Sequence, residues 1–115
     1  MSWEIKQVDE FEEWFGQQDQ DTQESIVAMF PVLRERGPQL GRPFVDSLND
    51  SRHANMKEMR PTRTVRVFFA FDPERTAILL IGGDKAGKPE RRWYRQMIRK
   101  ADQIYDAHLK TLNRK

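Results

Sequence analysis

Residues 82–88 read Gly-Gly-Asp-Lys-Ala-Gly-Lys. Gly82 and Gly87-Lys88 fit GxxxxGK, most of the loop whose backbone N–H groups cradle nucleotide phosphates. The pattern fails at the next position. A nucleotide site needs a Ser or Thr hydroxyl there to hold magnesium, and this chain has Pro89, which brings neither a hydroxyl nor an N–H. Too little chain follows for a later parallel strand carrying a second acidic ligand, as a doubly wound nucleotide-binding domain requires. The segment reads instead as a strand-to-helix turn, with Pro89 at the first helical position. A further reading leaves Lys85 and Lys88 facing a phosphate that belongs to a polynucleotide.

The remaining chemistry is cationic. The chain has two histidines, His53 and His108, and no cysteine. Without thiolates or an HExxH spacing no metal site is expected, and no cofactor. No nucleophile elbow is present, and the carboxylates crowd a solvated N-terminal stretch. Net charge is only +2, but residues 1–24 hold eight acids against one base, and residues 52–100 hold thirteen bases against five acids. That asymmetry fits an anionic partner for the basic part, either nucleic acid or an acidic protein segment; it also fits two ordinary solvated faces.

Lys57 and Arg60 fall on one expected strand and Arg63 and Arg66 at the start of the next. Lys85 and Lys88 follow a third strand, and Arg91, Arg92 and Arg95 open a helix beside Trp93 and Tyr94. Such a set can cleave RNA without metal or imidazole. The 2′-hydroxyl attacks the adjacent phosphorus, cations stabilise the charge on the phosphoryl oxygens, and a lysine or tyrosine moves protons. Arg66 lies inside "TVRVFFAF", where an unpartnered charge is costly. It is at a sheet edge, paired with a carboxylate such as Glu58, or facing a site. Trp93 and Tyr94 either stack on bases or cover the sheet and begin the core stripe.

The elements that position these residues follow from periodicity. "SWEIKQV" reads as a short strand. "DEFEEWFGQQ" spaces Phe11, Trp14 and Phe15 as a helix, with Asp9 as N-cap. "DTQESIVAMFPVLRERG" continues helically, kinked or divided at Pro31 and stopped at Gly37. Residues 38–54 read as loop. "ANMKEMRP", "TVRVFFAFD" and "RTAILLIGG" are strands, the last two forming a hairpin across "DPER", with the last expected to be central or well covered. "PERRWYRQMIRKADQIYDAHLKTLNRK" is one long helix whose stripe runs from Tyr94 to Leu112. The expectation is an α+β fold, a single domain over residues 1–115. It is a small, largely antiparallel sheet with N-terminal helices and a long C-terminal helix. No secretory leader is read at the N-terminus and the longest apolar run is too short to span a bilayer, so a cytoplasmic protein is expected.

"MKEMRPTRTVRVFFAF" resembles the "ELR…R" strand pair of RelE/HigB-like toxins of type II toxin–antitoxin systems, in the branch related to phage Gp49-like proteins. "RTAILLIGGDKAGK" and "WYRQMIRKADQIYDAHL" look like its continuation, so the resemblance covers roughly residues 54–112. It implies a RelE/ParE-like fold and an endoribonuclease cutting mRNA on the ribosome. It also implies a neutralising antitoxin, often a helix-turn-helix protein, held in a hetero-oligomer. By position, Lys57 resembles the proton-transferring strand lysine and Arg66 the arginine that holds the scissile phosphate. Arg60 matches the arginine of "ELR", Lys85 falls near the basic residue after the last strand, and Tyr94 takes the place of a downstream tyrosine. Arg63, Lys88, Arg91, Arg92 and Arg95 are then candidate RNA contacts. Two departures stand out: Asp84 intrudes after the last strand, and Lys85 and Tyr94 are further apart than in well-known RelE members. The same fold occurs in ParE toxins, which target DNA gyrase without cutting RNA. The alternatives are therefore a gyrase inhibitor or an inactive antitoxin-binding relative.

Overall fold

A computed structural model describes residues 2–113. β1 (Glu4–Gln7) is followed by three short helices, α1 (Asp9–Gly16), α2 (Gln20–Val27) and α3 (Phe30–Arg36). A turn of 3-10 helix at Gly37–Gln39 leads into β2 (Val45–Ser47), β3 (Met56–Met59), β4 (Val65–Phe71), β5 (Thr76–Asp84) and α4 (Glu90–Leu112). The five strands form one sheet in the order β1-β5-β4-β3-β2. All neighbours are antiparallel except β1, which runs parallel to β5. The expected α+β architecture is the one observed.

Side-chain alternation sorts the sheet into two buried faces. One carries Met59, Val67, Phe69, Phe71, Ala77 and Leu79 against Phe11, Ile26, Phe30 and Leu33 of α1–α3. The other carries Met56, Phe68, Ala70, Ile78 and Leu80 against Trp93, Ile98, Ala101 and Tyr105 of α4. Covered on both sides, β4 from Val67 and β5 from Ala77 need the continuous apolar runs that the sequence displays. β5 lies between β1 and β4, and β4 is the middle strand.

Pro31 divides the second helix, one of the two outcomes the sequence allows, and stands in the first turn of α3. Other boundaries differ from the sequence reading. Asp19 caps α2 by accepting from Thr22 N at 2.8 Å. Val8, not Asp9, holds the N-cap position of α1 and gives no side-chain cap, so Asp9 serves the first turn as an acid near the positive helix end. Pro89 likewise sits at the N-cap of α4, one residue before the expected place. β2 lies inside the stretch read as loop; its pairing with β3, Val45 opposite Met59, is a tertiary contact.

The glycine segment is accounted for by packing. Gly82 is the buried sixth position of the seven-residue run from Ala77 to Gly83 within β5, and a Cβ there would stand 2.2 Å from the Trp14 ring. Gly87 adopts φ +69° in the turn that leads to α4, a conformation that favours glycine. Neither glycine frames a phosphate cradle.

Candidate functional site

At one end of the sheet, β3, β4, β5 and the first turns of α4 converge. β3 pairs with β4 so that Glu58 stands opposite Phe68 and Met59 opposite Val67. Glu58 and Arg66 thus share the α4 face, two residues apart diagonally, within reach of long side chains. Arg66 is paired in turn with Gly83 of β5. The missing side chain of Gly83 leaves that space to Trp93 and Met97 of α4, which would lie 3.0 and 3.1 Å from a Cβ there. Trp93, rather than Tyr94, is the buried member of this first turn, and Tyr94 is half-buried.

One carboxylate organises the cations. Glu58 is 3% exposed. Its Oε1 accepts from the Tyr94 hydroxyl at 2.6 Å and lies 3.6 Å from Arg66 Nε. Its Oε2 accepts from Arg60 Nη2 at 2.8 Å and Nε at 3.2 Å. Arg60 also reaches Asp46 Oδ2 at 3.3 Å. Its bond to Glu58 raises the Arg60 pKa, and the Arg42 side chain bonded to Asp46 lowers that carboxyl. Burial first, then the bond to Glu58, pushes the Tyr94 phenol up to about 12. Tyr94 is therefore a neutral proton donor at physiological pH.

Arg66 is 6% exposed. Nε donates to Tyr94 Oη at 3.3 Å, Nη1 to the carbonyls of Thr62 (3.0 Å) and Val65 (2.8 Å), and Nη2 to the carbonyl of Arg63 (3.2 Å). The 62–65 turn wraps the guanidinium, itself fixed by Thr62 Oγ1 accepting from Val65 N at 3.0 Å. Of the three placements open in sequence, the pairing with Glu58 is realised.

Lys85 joins the cluster from the end of β5. Its Nζ lies 5.9 Å from the Tyr94 ring centroid and pairs with Glu90, whose carboxyl that contact lowers. Lys57 does not join it. As the neighbour of Glu58 it takes the opposite sheet face and donates to Ser47 Oγ at 3.0 Å on β2. Arg63 lends the cluster its carbonyl while its side chain is exposed, and Lys88 is exposed in the turn before α4. Arg91 and Arg95 line an open groove of about 700 Å³ between α4 and the loop before β3, together with Tyr94, Ile98, Arg99 and Arg52. Arg92 is exposed and outside it.

Sequence reasoning named Glu58 only as a partner and missed Arg99, Arg52 and Asp46. Arg99 carried a signal, four residues beyond Arg95. Both histidines tie α4 to the rest of the fold. His53 meets Asp106 at 2.8 Å, lowering that carboxyl, and His108 meets the buried Asp72 at 2.9 Å. Among the described residues no His/Asp/Glu group could hold a metal ion, and no helix is long and apolar enough to cross a membrane.

An antiparallel sheet of this order, closed by a parallel β1 and backed by a long final helix, is a RelE-type fold. The structure of an archaeal RelE–RelB complex from Pyrococcus horikoshii OT3 has a chain that superimposes with a TM-score of 0.61 over 76% of this chain and 99% of that one, at 13% identity. This likeness concerns the fold alone.

Residues 13–106 match the family described as "Phage derived protein Gp49-like (DUF891)". Two Mycobacterium tuberculosis H37Rv proteins are similar over most of this chain. One, "Putative toxin HigB2", is 44% identical over 106 residues, 89% of this chain and 52% of that protein. The other, "Putative toxin HigB3", is 52% identical over 93 residues, 80% of this chain and 81% of that protein. The matched region thus spans about half the length of the first relative. The chain belongs to the Gp49-like family and is similar to these two HigB-type proteins.

Proposed function

We propose that this protein is the toxin of a type II toxin–antitoxin pair and a metal-independent endoribonuclease acting on ribosome-bound mRNA in the cytoplasm, neutralised by a cognate antitoxin of the helix-turn-helix kind. The observation that carries the reading is the Tyr94 hydroxyl, held between Arg66 and Glu58 with Lys85 beside its ring. A phosphodiester brought to Tyr94 meets Arg66, Arg60 and Lys85, cations suited to charge that grows on the phosphoryl oxygens.

In the reaction the substrate 2′-oxygen bonds to phosphorus as the bond to the 5′-oxygen breaks. The 2′-hydroxyl proton passes to Tyr94 Oη while Tyr94's own proton moves to Glu58. The reverse transfer protonates the departing 5′-oxygen, leaving a 2′,3′-cyclic phosphate and a 5′-hydroxyl. A phenol with pKa about 12 that already donates to a carboxylate suits this relay.

One observation favours the gyrase-inhibitor reading. Arg66 is buried and bonded to three carbonyls, so its guanidinium already has a structural role. The test is to induce the protein alone and map message ends, with gyrase supercoiling assayed in parallel. The expected result is growth arrest with cuts inside reading frames, abolished by Tyr94→Phe. Intact mRNA with accumulating double-strand DNA breaks overturns the nuclease reading and supports the other.

A further inference from the structure

We propose that the groove along α4 is a track for a single-stranded polynucleotide, held by Arg91, Arg95 and Arg99 and leading to the Tyr94 hydroxyl. The inference rests on the nuclease reading and adds to it where the strand lies. The three arginines recur every fourth residue on one flank of α4, beside Tyr94 and Ile98, and all line the same groove. At 1.5 Å rise per residue they climb about 6 Å per step. That repeat is of the order of the spacing between successive phosphates in an extended strand.

The arrangement is unfavourable to the helix on its own. Like charges four residues apart destabilise a helix, and here two such pairs are stacked. Three cations around the site have acids: Arg60 has Glu58 and Asp46, Lys85 has Glu90, and Arg52 has Asp106, whereas the exposed Arg63, Lys88 and Arg92 have none among the described residues. Among the described residues Arg91, Arg95 and Arg99 are each exposed and make no ion pair.

The groove also holds Asp50, Glu90 and Asp102. Two of these are already engaged: Glu90 by Lys85, and Asp102 by the Ser51 hydroxyl and Arg52 N. Asp50 stands in the groove from the loop before β3 without an ion pair to the helix, so the flank is a row of three guanidiniums faced by one free acid, over an apolar and aromatic floor of Ile98 and Tyr94. Phosphates on the row and a base on the floor suit a single strand. Arg92 has no part in it. It stands two residues from Tyr94, on the other side of the helix.

The test uses the full-length chain and a single-stranded oligonucleotide of 2′-O-methyl RNA, which cannot be cleaved, titrated across a range of salt. Arg91→Gln/Arg95→Gln/Arg99→Gln should weaken binding at low salt more than tenfold. It should lower the slope of log affinity against log salt by about 2, since each phosphate neutralised on a single strand contributes about 0.7. The melting temperature should hold or rise, because like-charge pairs are removed. Arg34→Gln/Lys110→Gln, which removes two exposed bases elsewhere, should leave the slope unchanged. An unaltered slope in the triple variant overturns the track, as does loss of binding to a poly-glutamate peptide with RNA binding intact, which would make the groove a protein interface. Failure of the nuclease reading is separate. A wild-type protein that does not cut RNA but binds it with an arginine-dependent slope sinks the chemistry and keeps the track, whereas a triple variant that cuts and binds like wild type sinks the track alone.

Discussion

Replacing Glu58 by Gln keeps the shape of the side chain and removes its charge. Arg66, 8% exposed at its side chain, then loses the carboxylate 3.6 Å away. Breaking a buried pair by removing one partner typically costs about 3–5 kcal/mol, because the other charge stays buried. Two features place this case at the low end. The separation exceeds hydrogen-bond length, and three carbonyl dipoles remain on the guanidinium. Arg60 adds little, since its side chain is 32% exposed and keeps Asp46. The Tyr94 hydroxyl, half-exposed, finds the amide oxygen or water instead. The expected loss is about 3 kcal/mol. At about 4 °C per kcal/mol for a domain of this size, the melting temperature should fall by about 12 °C.

The pairing is isolated by a cycle with Arg66→Met. Glu58→Gln leaves Arg66 buried without a carboxylate, Arg66→Met leaves Glu58 with Arg60 as its one cation, and Glu58→Gln/Arg66→Met removes both buried charges. The double variant should therefore be more stable than the sum of the two singles predicts, by about 2 kcal/mol. Denaturant titrations of the four proteins measure it. A drop of less than about 3 °C for Glu58→Gln, or additive free energies, would refute the claim that this carboxylate holds the cluster. RNA cleavage measured well below each melting temperature then reads the chemistry separately. If Arg66 clamps the phosphate, Arg66→Met is inactive although folded, and a folded, active variant removes it from the site.

Tyr94 should remain a phenol throughout the physiological range: its absorbance as tyrosinate should grow in only as pH rises through about 12, and Tyr94→Phe should remove that step. Because the fold favours the neutral form, the associated stability is present below the ordinary tyrosine pKa of 10.0 and is lost as pH climbs toward 12; ionisation below pH 10 would contradict this. Gly82→Ala should cost about 1–3 kcal/mol in a denaturant melt, since its methyl group meets the Trp14 ring at 2.2 Å, whereas Gly16→Ala, with open space around it, should cost nothing. Calorimetry with ATP or GTP and magnesium should show no saturable binding, and a micromolar affinity would restore the phosphate-loop reading of Gly82–Lys88. Lys57→Ala should retain RNA cleavage to within a few-fold, with proton transfer running through Tyr94 and Glu58; loss of cleavage by the order of 10²-fold, the cost of a catalytic acid–base group, would return the lysine to the reaction.

What the sequence made legible was local. β4 from Val67 and β5 from Ala77 are continuous apolar runs, α4 is a stripe over six turns, and Pro31 and Gly37 punctuate α3. Their periods and breakers are written in neighbouring residues. β2 was not legible, because three residues between Pro43 and Asn49 form a strand only by pairing with β3. The parallel contact of β1 with β5, Ile5 opposite Ala77, joins residues too far apart in the chain for any local pattern to announce. The Asp9 cap failed for a smaller reason. The chain turns into α1 one residue early, so the extended residue is Val8.

The site was half legible for the same physical reason. Charge clustering and the family likeness brought Lys57, Arg60, Arg66, Lys85 and Tyr94 together, although the alternation in "ANMKEMRP" already puts Met56 and Glu58 on one side and Lys57 and Met59 on the other. In a strand, Lys57 and Glu58 cannot share a face. The core decides which of them faces α4. Met56 packs against Phe68 and Ile78 on that side, and Met59 against Val67 and Phe69 on the other. Sliding β3 by one residue to bring Lys57 to Tyr94 would turn both methionines out of their clusters and strand Glu58 among apolar side chains of α1–α3. Two fully buried methionines therefore fix which charge meets Tyr94, and it is the acid. An acid there draws Arg60, Arg66 and the phenol onto one point, and a substrate phosphate entering that point must compete with Glu58 for cations the fold has already assembled.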